Sequence, residues 1–238
     1  MSEKITEFKY KFVFEDKTEK DFSFSLKTPS LEFIKVPQAE YPFWTKLDHE
    51  QCEGCPLTID QHPYCPIAIS ITDIIEFFQQ SMSYNEVDVT LTTENRDYHK
   101  HTSLQKGISS MLGIIMVTCG CPAMNALRPL VFVHLPFATM EETMYRSISM
   151  YLLAQFFLMK KGEKPDWELK DLAQNYEGIR LVNQGFAKRL RSIQIQDASL
   201  NAVANLDCFA MNASFSIEEG CLDEIEELFE VYLKTKSP

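Results

Sequence analysis

Between positions 49 and 65 the chain carries five side chains able to ligate soft or borderline metals: His49, Cys52, Cys55, His62 and Cys65. Thiolate sulfur and imidazole nitrogen are the donors that hold zinc, and sulfur above all holds iron–sulfur clusters. Cys52 and Cys55 form a Cys-x-x-Cys pair, and Gly54 between them lets the backbone turn so that both sulfurs reach one ion. Cys65 follows near enough to fold back. A closed tetrahedral site needs a fourth ligand. His62, three residues before Cys65, and His49, three before Cys52, are the local candidates, and Cys121 is the distant one.

Cys65 and Cys121 share a second feature: each is followed at once by proline and then by a predicted helix. Proline suits the first helical position, so each cysteine is expected at a helix N-cap. Free amides and the positive end of the helix dipole favour a thiolate there. Cys55 also precedes a proline, and Cys-Pro steps recur among cluster ligands. The chemistry expected is therefore a structural zinc site, with an iron–sulfur cluster as the alternative. Cys119, Cys208 and Cys221 sit among apolar neighbours and read as buried core thiols.

Other constellations are weaker. His99 and His101 share one face of a predicted strand beside Asp97, and read as an exposed polar edge. His134 lies ahead of Glu141, Glu142 and Arg146. In a pocket His134 would serve as base and Arg146 as anion anchor; the plainer role is to brace the helix start. Arg180, Lys188, Arg189 and Arg191 read as a solvated basic face. There is no phosphate-binding glycine loop, no G-x-S-x-G and no H-E-x-x-H. Catalysis is not indicated, although a metal-dependent enzyme with an open position at the ion remains an alternative.

The elements that must position these residues follow from patterning. Phe8, Tyr10, Phe12 and Phe14 alternate with Glu7, Lys9 and Lys11, and Phe22, Phe24 and Leu26 repeat the alternation after a polar turn, which predicts a β-hairpin. Leu31 to Val36 is a further extension of it. Pro66 opens a helix with Ile67, Ile71, Ile74, Ile75, Phe78 and Met82 on one face. Val87, Val89 and Leu91, a turn at 93–96 and a return over 97–102 predict a second hairpin.

The remainder reads as helical. Ile108, Met111, Leu112 and Ile115 form a stripe, and Gly107, Ser109, Ser110 and Gly113 allow close approach by a neighbour. Pro122 starts a turn or short helix, and Pro129 and Pro136 bracket an extended Val131–His134 segment. Thr139 and Glu142 fit a capping box at the start of a long helix. Leu169, Leu172, Tyr176, Ile179, Asn183, Phe186, Leu190 and Ile193 make a two-stripe seam, with Asn183 as the polar exception. That seam suits packing within the chain, a homodimeric coiled coil being the alternative. Ser216 with Glu219 fits the cap of a last, acidic-faced helix.

The expected fold is α+β: a small antiparallel sheet of about four strands with a ββαββ start, then a helical bundle. One domain over 1–238 is expected, with the sheet and cysteine loop in 1–103 and the helical part in 104–238. At 238 residues, 45% hydrophobic and 24% charged, the chain has the composition of a globular protein. A net charge of −11 argues against general binding to nucleic acid or anionic membranes. Seven cysteines, an odd number, argue against a disulfide framework. The first seven residues have no apolar leader, and the apolar run Met150–Met159 is too short to span a bilayer, so a cytoplasmic location is expected.

Several of these residues together resemble a known family. They are Trp44, His49-x-x-Cys52-x-x-Cys55-Pro56-Leu57, His62-Pro63-x-Cys65-Pro66, Gly120-Cys121-Pro122, and His134-Leu135-Pro136-Phe137-Ala138 with Glu141, Glu142 and Arg146. The set is similar to an uncharacterised bacterial domain family of unknown function, over most of the chain. The resemblance lends no activity. It implies that Cys121, rather than Cys119, belongs with the loop cysteines. The expectation overall is a metal-binding protein with a binding or regulatory role toward a protein partner or small ligand.

Overall fold

The computed structural model describes residues 4–235. Met1–Glu3, part of the stretch read for a leader, lie outside the described residues. Strands β1 (Lys4–Phe14), β2 (Glu19–Thr28), β3 (Glu32–Phe33), β4 (Glu86–Thr92) and β5 (Asp97–Ser103) form one antiparallel sheet in the order β3-β2-β1-β4-β5. The α+β class holds, with five strands instead of four because Leu26 and Lys27 pair with Phe33 and Glu32.

Alternation decides which face is buried. Phe8 pairs with Phe24, Tyr10 with Phe22 and Leu91, and Phe12 with Val89, and all of these lie on the buried face. The opposite face is solvated, where Lys9 and Lys11 pair with Asp21 and Glu19 at 2.9 and 2.7 Å. His99 and His101 lie exposed on β5, next to Asp88 of β4 at 3.6 and 3.1 Å.

Helix α3 (Leu104–Thr118) lies across the buried face. A methyl group at Gly107 would come within 2.9 Å of Phe12 and Val89, so the small residue sets how closely helix and sheet approach. The Tyr10 hydroxyl reaches from the sheet to the Ser110 hydroxyl at 3.0 Å and to His134 Nε2 at 3.1 Å.

The expectations for two segments need correction. The helix from Pro66 breaks at Ile71 into α1 (Pro66–Ser70) and α2 (Thr72–Phe78). Ser70 and Thr72 hydroxyls donate to the Pro66 and Ala68 carbonyls at 2.8 and 3.0 Å, competing with the backbone ladder. The 131–134 segment is not extended, because Pro122–Val133 forms one long 3-10 run that ends at His134.

Helix α4 (Met140–Lys160) starts with the expected Thr139–Glu142 capping box, and its last turns expose Phe156, Phe157 and Met159. Helices α5 (Lys170–Arg191) and α6 (Asp197–Glu218) pack along one another, and α6 also packs on α3. Leu172, Tyr176, Ile179, Asn183, Phe186 and Leu190 of the predicted seam are all buried within the chain. Ser216 lies inside α6 and caps nothing; short α7 (Asp223–Glu227) and α8 (Glu230–Lys234) follow with exposed acidic residues.

No single helix among the described residues is long and apolar enough to cross a membrane.

Candidate metal centre

The cysteine loop begins in a 3-10 turn at Phe43–Thr45 and closes on itself before α1. Leu47 donates its amide to the Pro63 carbonyl at 3.0 Å, and Cys65 donates to the Thr45 carbonyl at 2.8 Å. These two bonds clamp the ends of the loop together. At its tip Cys55 donates its amide to the Cys52 carbonyl at 3.1 Å, across a turn in which Gly54 has φ +70°. The backbone turns at Gly54, between the two cysteines of the Cys-x-x-Cys pair.

Cys65 is the N-cap of α1, and Cys121 is the N-cap of the 3-10 run, each with proline next. Burial pushes the Cys121 thiol up to about 11, and the nearby backbone amides of Ala123 and Met124, the latter donating to the Cys121 carbonyl at 3.1 Å, oppose that rise. Burial likewise pushes the Cys52 thiol up to about 12.

The four cysteines come from three separate segments and lie within electrostatic reach of one another. Cys65, Cys121 and Cys55 all act on Cys52, and Cys65 and Cys55 act on Cys121. Among the described residues, no three or more His, Cys, Asp or Glu side chains are gathered tightly enough to hold a metal ion as they stand. The thiols are therefore neighbours rather than a closed ligand set. All seven cysteines are free. Cys119 is buried beside Cys121, and its thiol donates to the Met116 carbonyl at 3.4 Å.

Of the remaining sequence candidates, His62 is exposed in the 58–62 turn. His49 Nε2 is taken up by the Ser192 hydroxyl at 2.6 Å. Cys208 and Cys221 are exposed, not core. Cys208 lies away from the α6 face that buries Ala202, Val203, Ala210 and Ala213, and Cys221 falls in the turn after that helix.

The floor under the loop is α5. A methyl at Gly185 would come 2.7 Å from Cys52 Sγ and 2.9 Å from its Cα, so only glycine leaves room. The Cys52 thiol points at the Val182 carbonyl, 3.7 Å away. One turn further on is Arg189, expected on a solvated face but only 1% exposed. It donates from Nη1 to the Trp44 and Lys46 carbonyls at 2.5 and 2.6 Å, and from Nη2 to those of Leu47 and Glu50 at 3.3 and 3.5 Å. Its positive charge favours a thiolate at Cys52. No carboxylate pairs with it among the described residues.

A family model for a domain of unknown function, DUF6901, matches residues 8–230. The chain belongs to that family. The match takes in the sheet, the cysteine loop and all the helices up to the start of α8, so loop and scaffold fall within one DUF6901 unit. Searches of curated proteins and of solved structures returned no match.

Proposed function

We propose that Cys52, Cys55, Cys65 and Cys121 hold one zinc ion that ties the cysteine loop to the start of the 3-10 run, in a protein with a binding or regulatory role. The convergence of four thiols from three segments carries this reading. Four sulfurs complete a tetrahedral set without His62 or His49. Closure requires the sulfurs to draw together around the ion and to lose their protons, so binding is coupled to folding. The ion would close a long loop between positions 52 and 121, where a crosslink restricts the unfolded chain most.

Electrostatics supports the same reading. A buried guanidinium without an acidic partner is costly unless a negative charge lies near. Zinc with four thiolates carries net negative charge, and Arg189 stands where it offsets that charge. The backbone amides near Cys121 favour its thiolate, the form a ligating sulfur takes.

Elemental analysis of the chain, purified without chelator, tests the proposal. About one equivalent of zinc is expected, and Cys55→Ser and Cys121→Ser should each lower metal content and melting temperature together. Cys221→Ser, at an exposed thiol outside the cluster, should change neither. Iron with visible charge-transfer absorption would replace zinc by a cluster on the same ligands. Neither metal near one equivalent would end the proposal.

A further inference from the structure

A second site lies between α3, the 3-10 run, α4, α5 and α6. It is a cavity of about 480 Å³. Its walls are mainly apolar, from residues such as Met116, Leu127 and Phe209. No aspartate or glutamate lines it, although the chain as a whole carries −11. Lys100, Lys106 and Arg146 do line it, and the two lysines are exposed at its mouth.

Two polar groups there lack partners. Arg146 donates from Nη2 to the Leu130 carbonyl at 3.0 Å, but its buried Nε has none. Glu142 acts on Arg146 from nearby, yet its carboxylate is held by the Thr139 amide at 2.8 Å in the capping box. Asn183 is only 1% exposed, and both its amide nitrogen and its oxygen are unpaired. An unsatisfied buried polar group costs on the order of 1–3 kcal/mol, so an apolar residue in this seam position would be more stable. The polar exception in an otherwise apolar stripe has a use if something in the cavity pairs with it.

Position and charge indicate what that is. Arg146 acts on both Tyr176 and His134, and all three line the cavity. Asn183 lies seven residues beyond Tyr176 on the same helix face, about 10 Å along the axis at ~1.5 Å per residue. His134 stays uncharged at neutral pH, held down by burial and by Arg146, so it serves as a hydrogen-bonding wall and adds no charge.

We propose that this cavity binds an organic carboxylate with an apolar body: Arg146 holds the carboxylate, the mouth lysines draw it in, and Asn183 pairs with a second polar group further along the ligand. The site is independent of the metal.

Titration calorimetry of the full chain against decanoate, ω-hydroxydecanoate, decanol and decylamine tests it. Decanoate should bind once per chain, and decanol and decylamine at least about tenfold more weakly. The ω-hydroxy acid should bind more tightly than decanoate, and Asn183→Leu should erase that preference while keeping decanoate binding. Arg146→Gln should weaken both acids at least about tenfold. If decylamine or decanol binds as well as decanoate, or neither acid binds at millimolar concentration, the proposal is overturned. The charge comparison uses the unaltered chain and needs no variant to fold. An ω-hydroxy acid no tighter than decanoate removes Asn183 from the site.

Discussion

Gly178 and Gly185 lie two turns apart on α5 and make a matched test of how the cysteine loop is seated. Inside a helix alanine is favoured over glycine by about 1 kcal/mol, so each substitution would gain that much if nothing else changed. At Gly178 an added methyl meets nothing within 4 Å. Gly178→Ala should therefore stabilise the chain by ~0.5–1 kcal/mol, raising the melting temperature by about 2–4 °C per kcal/mol at this size. At Gly185 the same methyl falls 2.7, 2.9 and 3.0 Å from Sγ, Cα and Cβ of Cys52. A backbone atom is among the three, so a change of rotamer does not relieve the overlap and the loop must lift. Overpacking of this kind costs about 1–3 kcal/mol. Set against the helix gain, the net is a loss of up to about 2 kcal/mol. Lifting Cys52 also moves one of the four proposed ligands, so on the zinc proposal Gly185→Ala should bind less metal than Gly178→Ala. Urea unfolding with metal analysis on the two variants reads both quantities. Equal stability and equal metal content would refute the packing of the loop on α5.

Two further outcomes are expected. Arg189→Met removes the donor of four carbonyls, those of Trp44 and Leu47 buried, and should cost about 2–4 kcal/mol in denaturant unfolding; an unchanged midpoint would put that side chain in solvent. His134 has its pKa pushed down to about 3 by burial and by Arg146, against about 6.5 in the unfolded chain. Between those values the unfolded state binds the extra proton, so His134 contributes stability that is full above about pH 6.5 and is lost as pH falls toward 3. After allowance for partial exposure, stability at pH 5 should be lower than at pH 7 by about 1–2 kcal/mol on this account. Unfolding curves for His134→Gln should show a shallower slope over that range; an equal slope would contradict the assignment.

Local rules made much of the fold legible. Alternating aromatics located the first hairpin and alternating Val87, Val89 and Leu91 the second, and the Thr139–Glu142 pair located the start of α4. Cys-Pro steps located two N-caps because proline fixes the first helical position. What failed depended on partners remote in sequence. Arg189 looked solvated because its acceptors are carbonyls some 140 positions earlier, as the bond to Lys46, 143 residues away, illustrates. Cys208 looked buried because its neighbours are apolar, but α6 turns it outward. Val131–His134 looked extended between prolines, whereas a 3-10 run through Val133 accommodates Pro129 inside it. Ser216 and Glu219 had capping spacing, but α6 was already under way from Asp197. The cysteine convergence was legible in part. Spacing paired Cys52 with Cys55, while Cys121 was tied to them only by the Cys-Pro step it shares with Cys65 and by the family resemblance; its nearness depends on how the 3-10 run and the loop approach one another in the folded chain.

X-ray absorption at the zinc edge of the metal-loaded chain tests the central claim most directly. Four sulfur scatterers at about 2.3 Å are expected, falling to three, with a lighter atom in the fourth place, in Cys121→Ser. A shell of nitrogen and oxygen, or a spectrum unaltered by that substitution, would contradict a centre built from the four thiols.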